Sequence, residues 1–113
     1  MITQGDVCWA ALPDPAGAGP GFRRPVVVLQ SDSFNRASLR TAVCVALTGN
    51  LKWANSPGNV ELSERESSLP RPSVANVTQL VTIDRGLLEV VGHVPPAKLD
   101  LILRGVDLVL GRE

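Results

Sequence analysis

The chain has 113 residues, 44% of them hydrophobic, and its 11 basic residues are balanced by 11 acidic ones. That length suits one domain, spanning residues 1–113, with a small core, and excludes two. Zero net charge excludes indiscriminate coating of nucleic acid, so any attraction to phosphate must come from a local patch.

The N-terminus, MITQGDVCWAAL, has neither a basic leader nor a long apolar stretch, and no apolar run approaches a membrane span. The expectation is a soluble, cytoplasmic protein with no membrane partner. GDVCWAAL (5–12) reads as a strand ended by Pro13, and PDPAGAGPGF (13–22) as a loop too rich in Gly and Pro for regular structure. PVVVLQ (25–30) is a second strand with Pro25 at its first position, and Ser31 or Asp32 is placed to cap a single helical turn. TAVCVALT (41–48) is a continuous apolar strand, buried on both faces or nearly so, and LKWANSPG (51–58) is a loop. Cys8 and Cys44 fall inside strand patterns without metal-ligand spacing, and read as buried free thiols of a reducing compartment.

NVEL is a short strand, SERESSLPRP a polar segment ending in two prolines, and SVANVTQLVTI (73–83) a strand rich in β-branched residues. LLEVVGHV (87–94) is another, after a break at Asp84-Arg85-Gly86. Pro95-Pro96 opens a helix with apolar residues at 99, 102, 103, 106, 109 and 110, one helical face; Gly105 inside it suggests a close packing contact, and Gly111 a stop. Strands at this spacing with Gly/Pro turns predict a mainly β (α+β) fold, a small barrel or sandwich, with the helix covering one side.

Four blocks in this order are specific together: a Gly-rich loop, Arg24-Pro25 with its valines, an apolar strand ending in Thr48, and LPRPSVANVTQLVTID. They resemble the MazF/PemK family of toxin endoribonucleases from bacterial toxin–antitoxin pairs, over nearly the whole chain. The resemblance implies an SH3-like barrel of the CcdB/MazF type with a C-terminal helix, acting as a homodimer. It also implies cleavage of single-stranded RNA without a metal or other cofactor, giving 2′,3′-cyclic phosphate and 5′-hydroxyl ends, and inhibition by a cognate antitoxin.

RNA cleavage through the 2′-hydroxyl needs a proton acceptor, stabilisation of charge on the phosphoryl oxygens, and help for the leaving 5′-oxygen. Arginine suits the second task, because its planar fork stays charged and can bond two phosphate oxygens. The family pattern assigns catalysis to Arg24, the residue before the proline, and to Thr48 at the strand end. Arg23 is either a second phosphate contact or a solvated charge. Phe22 and Trp53 are candidates to stack on unpaired bases, Trp53 having packing over the barrel mouth as its alternative. Lys52 would attract the backbone, and Ser73 and Gln79 match the later blocks as RNA contacts.

Two departures stand out. The glutamate that many relatives carry in the first loop is absent, leaving Asp14 as that loop's only carboxylate and the general base unassigned. Pro72 stands where relatives often have Asp. His93, the sole histidine, is the candidate to replace that general base by its pKa, with a structural role as the preferred reading, and Asp84 reads as a turn stabiliser. The rival readings are a gyrase poison of the CcdB type, which needs a C-terminal Trp-Gly-Ile where this chain ends VLGRE, and a non-catalytic barrel that binds antitoxin or RNA.

Overall fold

The computed structural model describes residues 1–12, 17 and 22–112. Six strands of the described residues form one curled antiparallel sheet: β1 (Asp6–Ala11), β2 (Arg23–Val28), β3 (Thr41–Thr48), β4 (Val60–Leu62), β5 (Ser73–Asp84) and β6 (Leu88–His93), in the order β4-β5-β3-β2-β1-β6. Three helices accompany it, α1 (Asp32–Asn35), α2 (Glu64–Ser67) and α3 (Pro96–Val109), with 3₁₀ turns at Leu51–Asn55 and Arg85–Leu87. The mainly β fold with a C-terminal helix agrees with the sequence reading, the sheet being a half-barrel rather than a sandwich.

Period-two alternation divides the strand side chains between two cores. Val7, Val27, Val45 and Leu47 join Leu62, Val77 and Ile102 in one cluster, against which Leu99, Leu103 and Val106 of α3 pack. Cys8, Val26, Val28 and Cys44 join Ile2, Ala42 and Ile83 in the other. The central strands therefore read as unbroken apolar runs, although Val43 of β3 remains 39% exposed. The apolar stripe of α3 stops earlier than its sequence spacing suggests, since Val109 and Leu110 are exposed.

Local signals account for the helix ends. Pro96 starts α3, where a missing N–H costs nothing, and Gly111 ends it at φ +74°. Ser63 and Glu66 form a reciprocal capping box on α2, inside the segment that the sequence reading described only as polar. The Ser63 N–H is the main cause holding the Glu66 carboxyl below its ordinary range. Ser31 precedes α1 without capping it through its side chain. Asp32 instead accepts the Gln4 N–H at 2.7 Å, tying the turn to the chain entering β1.

The sequence spacing that made Gly105 conspicuous has a physical cause. A side chain there would collide with the carbonyl of Gly58 and press on Val77, so α3 approaches the lead-in to β4 backbone to backbone. Lys98 adds a second tie, donating to the Glu61 carbonyl at 3.0 Å. Gly105→Ala should be destabilising despite the ~1 kcal/mol of helix propensity it gains. A net loss of about 1–3 kcal/mol is expected in urea unfolding, because backbone cannot give way as a side-chain tip can.

Burial pushes the Cys8 thiol up to about 11, with the nearby Asp6 charge adding to it, and the Cys44 thiol up to about 12. Both values lie above the ordinary 9.0, so the neutral thiol is the form the fold favours. That contribution is complete below pH 9 and is lost as pH rises through the folded-state values. Urea midpoints should decline above pH 9, and the decline should be shallower in a Cys8→Ala/Cys44→Ala protein, whatever its absolute stability.

Candidate active site

A cavity of about 680 Å³ opens where β3 ends, and the pairing of β3 with β5 creates it. Val45 pairs with Leu80 and Leu47 with Ala75, so residues 76–79 of β5 stand against Ala46 alone. Such a slip bends the strand and turns side chains out of the ladder. Asn76, Thr78 and Gln79, all within it, line the cavity.

The opposite wall comes from β2. Its ladder with β3 begins at Val26, paired with Ala46, one residue past Pro25, which has no N–H to donate. Continuing that register two residues along brings Arg24 opposite Thr48, and both line the cavity. The strand begins at Arg23 rather than at Pro25 as the sequence suggested.

Thr48 is half-buried, and its Oγ1 accepts the Asn50 N–H at 3.2 Å. With a lone pair engaged there, its proton is directed elsewhere, as a hydrogen-bond donor. Asn50 also accepts the Lys52 N–H at 3.3 Å, which starts the 3₁₀ turn carrying Trp53 to the cavity. Trp53 is 44% exposed and contributes to the lining, with the Lys52 ammonium 5.3 Å from its ring centre. Leu108 and Val109, at the end of α3, supply an apolar side.

The residues anticipated from sequence divide accordingly. Arg24, Thr48, Trp53 and Gln79 share this cavity, and Lys52 lies beside it over the tryptophan ring. Arg23 points to the other face of β2, where its guanidinium bonds Glu89 at 3.0 Å and sits 4.6 Å from the Trp9 ring. Phe22 is exposed at φ +59°, outside the lining, its carbonyl accepting the Leu12 N–H. Ser73 is only 5% exposed, with its hydroxyl 3.5 Å from the Arg71 carbonyl, and is also outside the lining. Asp14 lies outside the described residues.

His93 is remote from Arg24. It pairs with Asp6, whereas Arg24 pairs with Ala10, roughly 13 Å further along β1. Its ring nitrogens face the carbonyls of Val94 at 2.7 Å and Gln4 at 2.9 Å, closing β6 onto the N-terminal segment. Asp84 accepts the Gly86 N–H at 2.8 Å and caps the following turn.

Sequence reasoning passed over Asn59, Asn76 and Thr78, which make a bonded cluster in the cavity wall. A readable signal was present: Asn76 is a polar amide inside the β-branched run of β5, where propensity disfavours it. Among the described residues the lining holds no carboxylate or imidazole. It offers one guanidinium with hydroxyl and amide groups, a set suited to holding an anion.

The molecule is thus a bent half-barrel β protein with a cavity at the end of β3 that carries hydrogen-bond donors beside an apolar wall. Comparison with known proteins makes this specific. The family model described as PemK-like, MazF-like toxin of type II toxin-antitoxin system matches residues 3–110. Endoribonuclease MazF6 of Mycobacterium tuberculosis is 40% identical over 111 residues, covering 97% of both chains. Endoribonuclease MazF of Staphylococcus saprophyticus is 32% identical over 112 residues, covering 98% of this chain and 92% of that one. Among solved structures, MazF of Deinococcus radiodurans superposes with a TM-score of 0.81 at 21% identity, covering 97% of this chain and 96% of that one. A mycobacterial endoribonuclease in complex with its cognate antitoxin does so with a TM-score of 0.71 at 21% identity, covering 99% and 95%. The chain belongs to the PemK-like, MazF-like toxin family of type II toxin–antitoxin systems.

Proposed function

We propose that this chain is an endoribonuclease toxin that cuts single-stranded RNA at short sequences, with no metal or cofactor required. The RNA's own 2′-hydroxyl attacks the adjacent phosphate, leaving a 2′,3′-cyclic phosphate and a 5′-hydroxyl. The observation that carries this reading is the convergence of Arg24 and Thr48 on one cavity.

Charge builds on the phosphoryl oxygens as the 2′-oxygen adds, and the guanidinium of Arg24 with the Thr48 hydroxyl would donate to them. Fixed donors of this kind typically contribute a few kcal/mol each to lowering the barrier. Thr48 suits the task because Asn50 already occupies its oxygen and leaves the proton to donate. The broad face of Trp53 offers a stacking surface for an unpaired base, with Lys52 beside it for the backbone.

As partners we infer a second copy of the chain and an antitoxin. Leu101, Leu108, Val109 and Leu110 leave the end of α3 apolar and exposed, a face that a partner would cover. The reading places the protein in the cytoplasm, and no helix of the described residues is long and apolar enough to cross a membrane.

Incubation of purified protein with a long unstructured RNA in EDTA should give cuts at a short motif with cyclic phosphate ends, identified by mass. Arg24→Ala and Thr48→Val should each reduce the cleavage rate at least 100-fold. Arg23→Ala, which removes an exposed ion pair, should stay within about threefold of the wild type and cost ~0–1 kcal/mol of stability. Absence of cleavage by folded wild type across several RNAs would instead support a binding-only protein. Equal losses in the two arginine variants would remove the distinction drawn between the faces of β2.

A further inference from the structure

We propose that Asn76 determines sequence specificity by donating from its side-chain amide to a keto base, uracil or guanine, at one position of the cut site. The inference rests on the endoribonuclease reading and goes beyond it, because neither Arg24 nor Thr48 distinguishes one base from another.

The direction in which an asparagine amide points is decided by its hydrogen-bond network, and here the network begins at groups with no choice. The main-chain N–H of Val77 donates to Asn59 Oδ1 at 2.9 Å. The main-chain carbonyl of Trp53 accepts from Asn59 Nδ2 at 3.0 Å. A backbone donor on one side and a backbone acceptor on the other fix Asn59 in one orientation. Its Nδ2 then faces Asn76 at 3.5 Å, and the atom it meets must be the acceptor, Oδ1. The Thr78 hydroxyl donates to the same oxygen at 3.1 Å.

With two donors on its oxygen, Asn76 has only its NH₂ left to offer. That group has no acceptor among the described residues, and Asn76 lines the same cavity as Arg24, Thr48 and Trp53. It can meet O4 of uracil or O6 of guanine, whereas the amino groups of cytosine and adenine would set donor against donor. Asn59 acts through Asn76 as a positioning residue. Its own place is set by Gly58, the preceding residue, whose backbone rests against Gly105 of α3.

The test is digestion of a single-stranded RNA pool containing a randomised segment, with sequencing of the fragments that carry 5′-hydroxyl ends. Preference at each position is normalised to total cleavage, which removes differences in overall rate. Wild type should prefer U and G over C and A by roughly tenfold at one fixed position relative to the cut. Asn76→Ala should lose the preference at that position alone. Asn76→Asp, nearly isosteric and still able to accept from Asn59 and Thr78, should reverse it towards C and A. Asn59→Asp keeps the acceptor for the Val77 N–H but loses the amide that orients Asn76, and should flatten the same position. A folded Asn76→Asp protein with the wild-type cutting profile would overturn the inference and leave the endoribonuclease reading intact. So would a wild type with no keto-selective position. A wild type that cuts nothing overturns both.

Discussion

The slip of β5 against β3 is the constraint on which the site depends. With an uninterrupted register, each residue of β5 that runs alongside β3 would stand opposite a single partner, and Thr78 and Gln79 would belong to an ordinary sheet surface. Because residues 76–79 instead share Ala46, the ladder is interrupted two residues before Thr48, and the cavity opens there. Pro25 acts in the same direction from the other side, where the β2–β3 ladder starts only at Val26. Both interruptions fall around the last residues of β3, a strand otherwise held by neighbours on each edge. A rigid frame with a gap at one end holds donors more firmly than a loop can.

The electrostatics of that gap differ from those of the chain as a whole. Net charge is zero, and exposed ion pairs such as Arg104 with Asp100 neutralise much of the surface locally. In the cavity the described lining brings Arg24 together with hydroxyl and amide groups. The Thr48 oxygen is occupied by Asn50, and the Asn76 oxygen by Asn59 and Thr78. In both side chains the acceptor atom is used internally and the donor is left outward. The arrangement gathers hydrogen-bond donors at one place on a protein whose net charge is zero.

Much of this was legible in the sequence, for reasons that also mark where legibility ended. Strand existence followed from apolar runs and turn residues, and the α3 helix from its spacing and its proline. Arg24 and Thr48 were reached through the order of four blocks. The fate of Arg23 required the alternation of β2 to be placed against Glu89 and Trp9, partners that no local pattern names. Ser73 was reached by its match to a later block, yet it pairs with Leu62 of β4 and is buried. The α2 capping box, Ser63 with Glu66, was readable and was obscured by the polar composition around it. The Asn59–Asn76 pair was not readable, because it joins the residue leading into β4 with a residue of β5 17 positions away, a contact set by the pairing of those two strands and by no local pattern.

The packing of α3 links stability to the site by a route that the helix's apolar stripe does not suggest. Ile102, Leu99 and Val106 anchor the helix on the core, a contribution of about 1.5–3 kcal/mol for a fully buried side chain such as Ile102. Gly105 then sets how closely the helix can approach, by allowing its backbone to rest on that of Gly58. Gly58 adjoins Asn59, which bonds Val77, Trp53 and Asn76 in turn. The same helix places Leu108 and Val109 in the cavity wall. A glycine three residues before Leu108 thus bears on two sides of the cavity at once. Side chains that would improve the helix in isolation are excluded there by the geometry of the site.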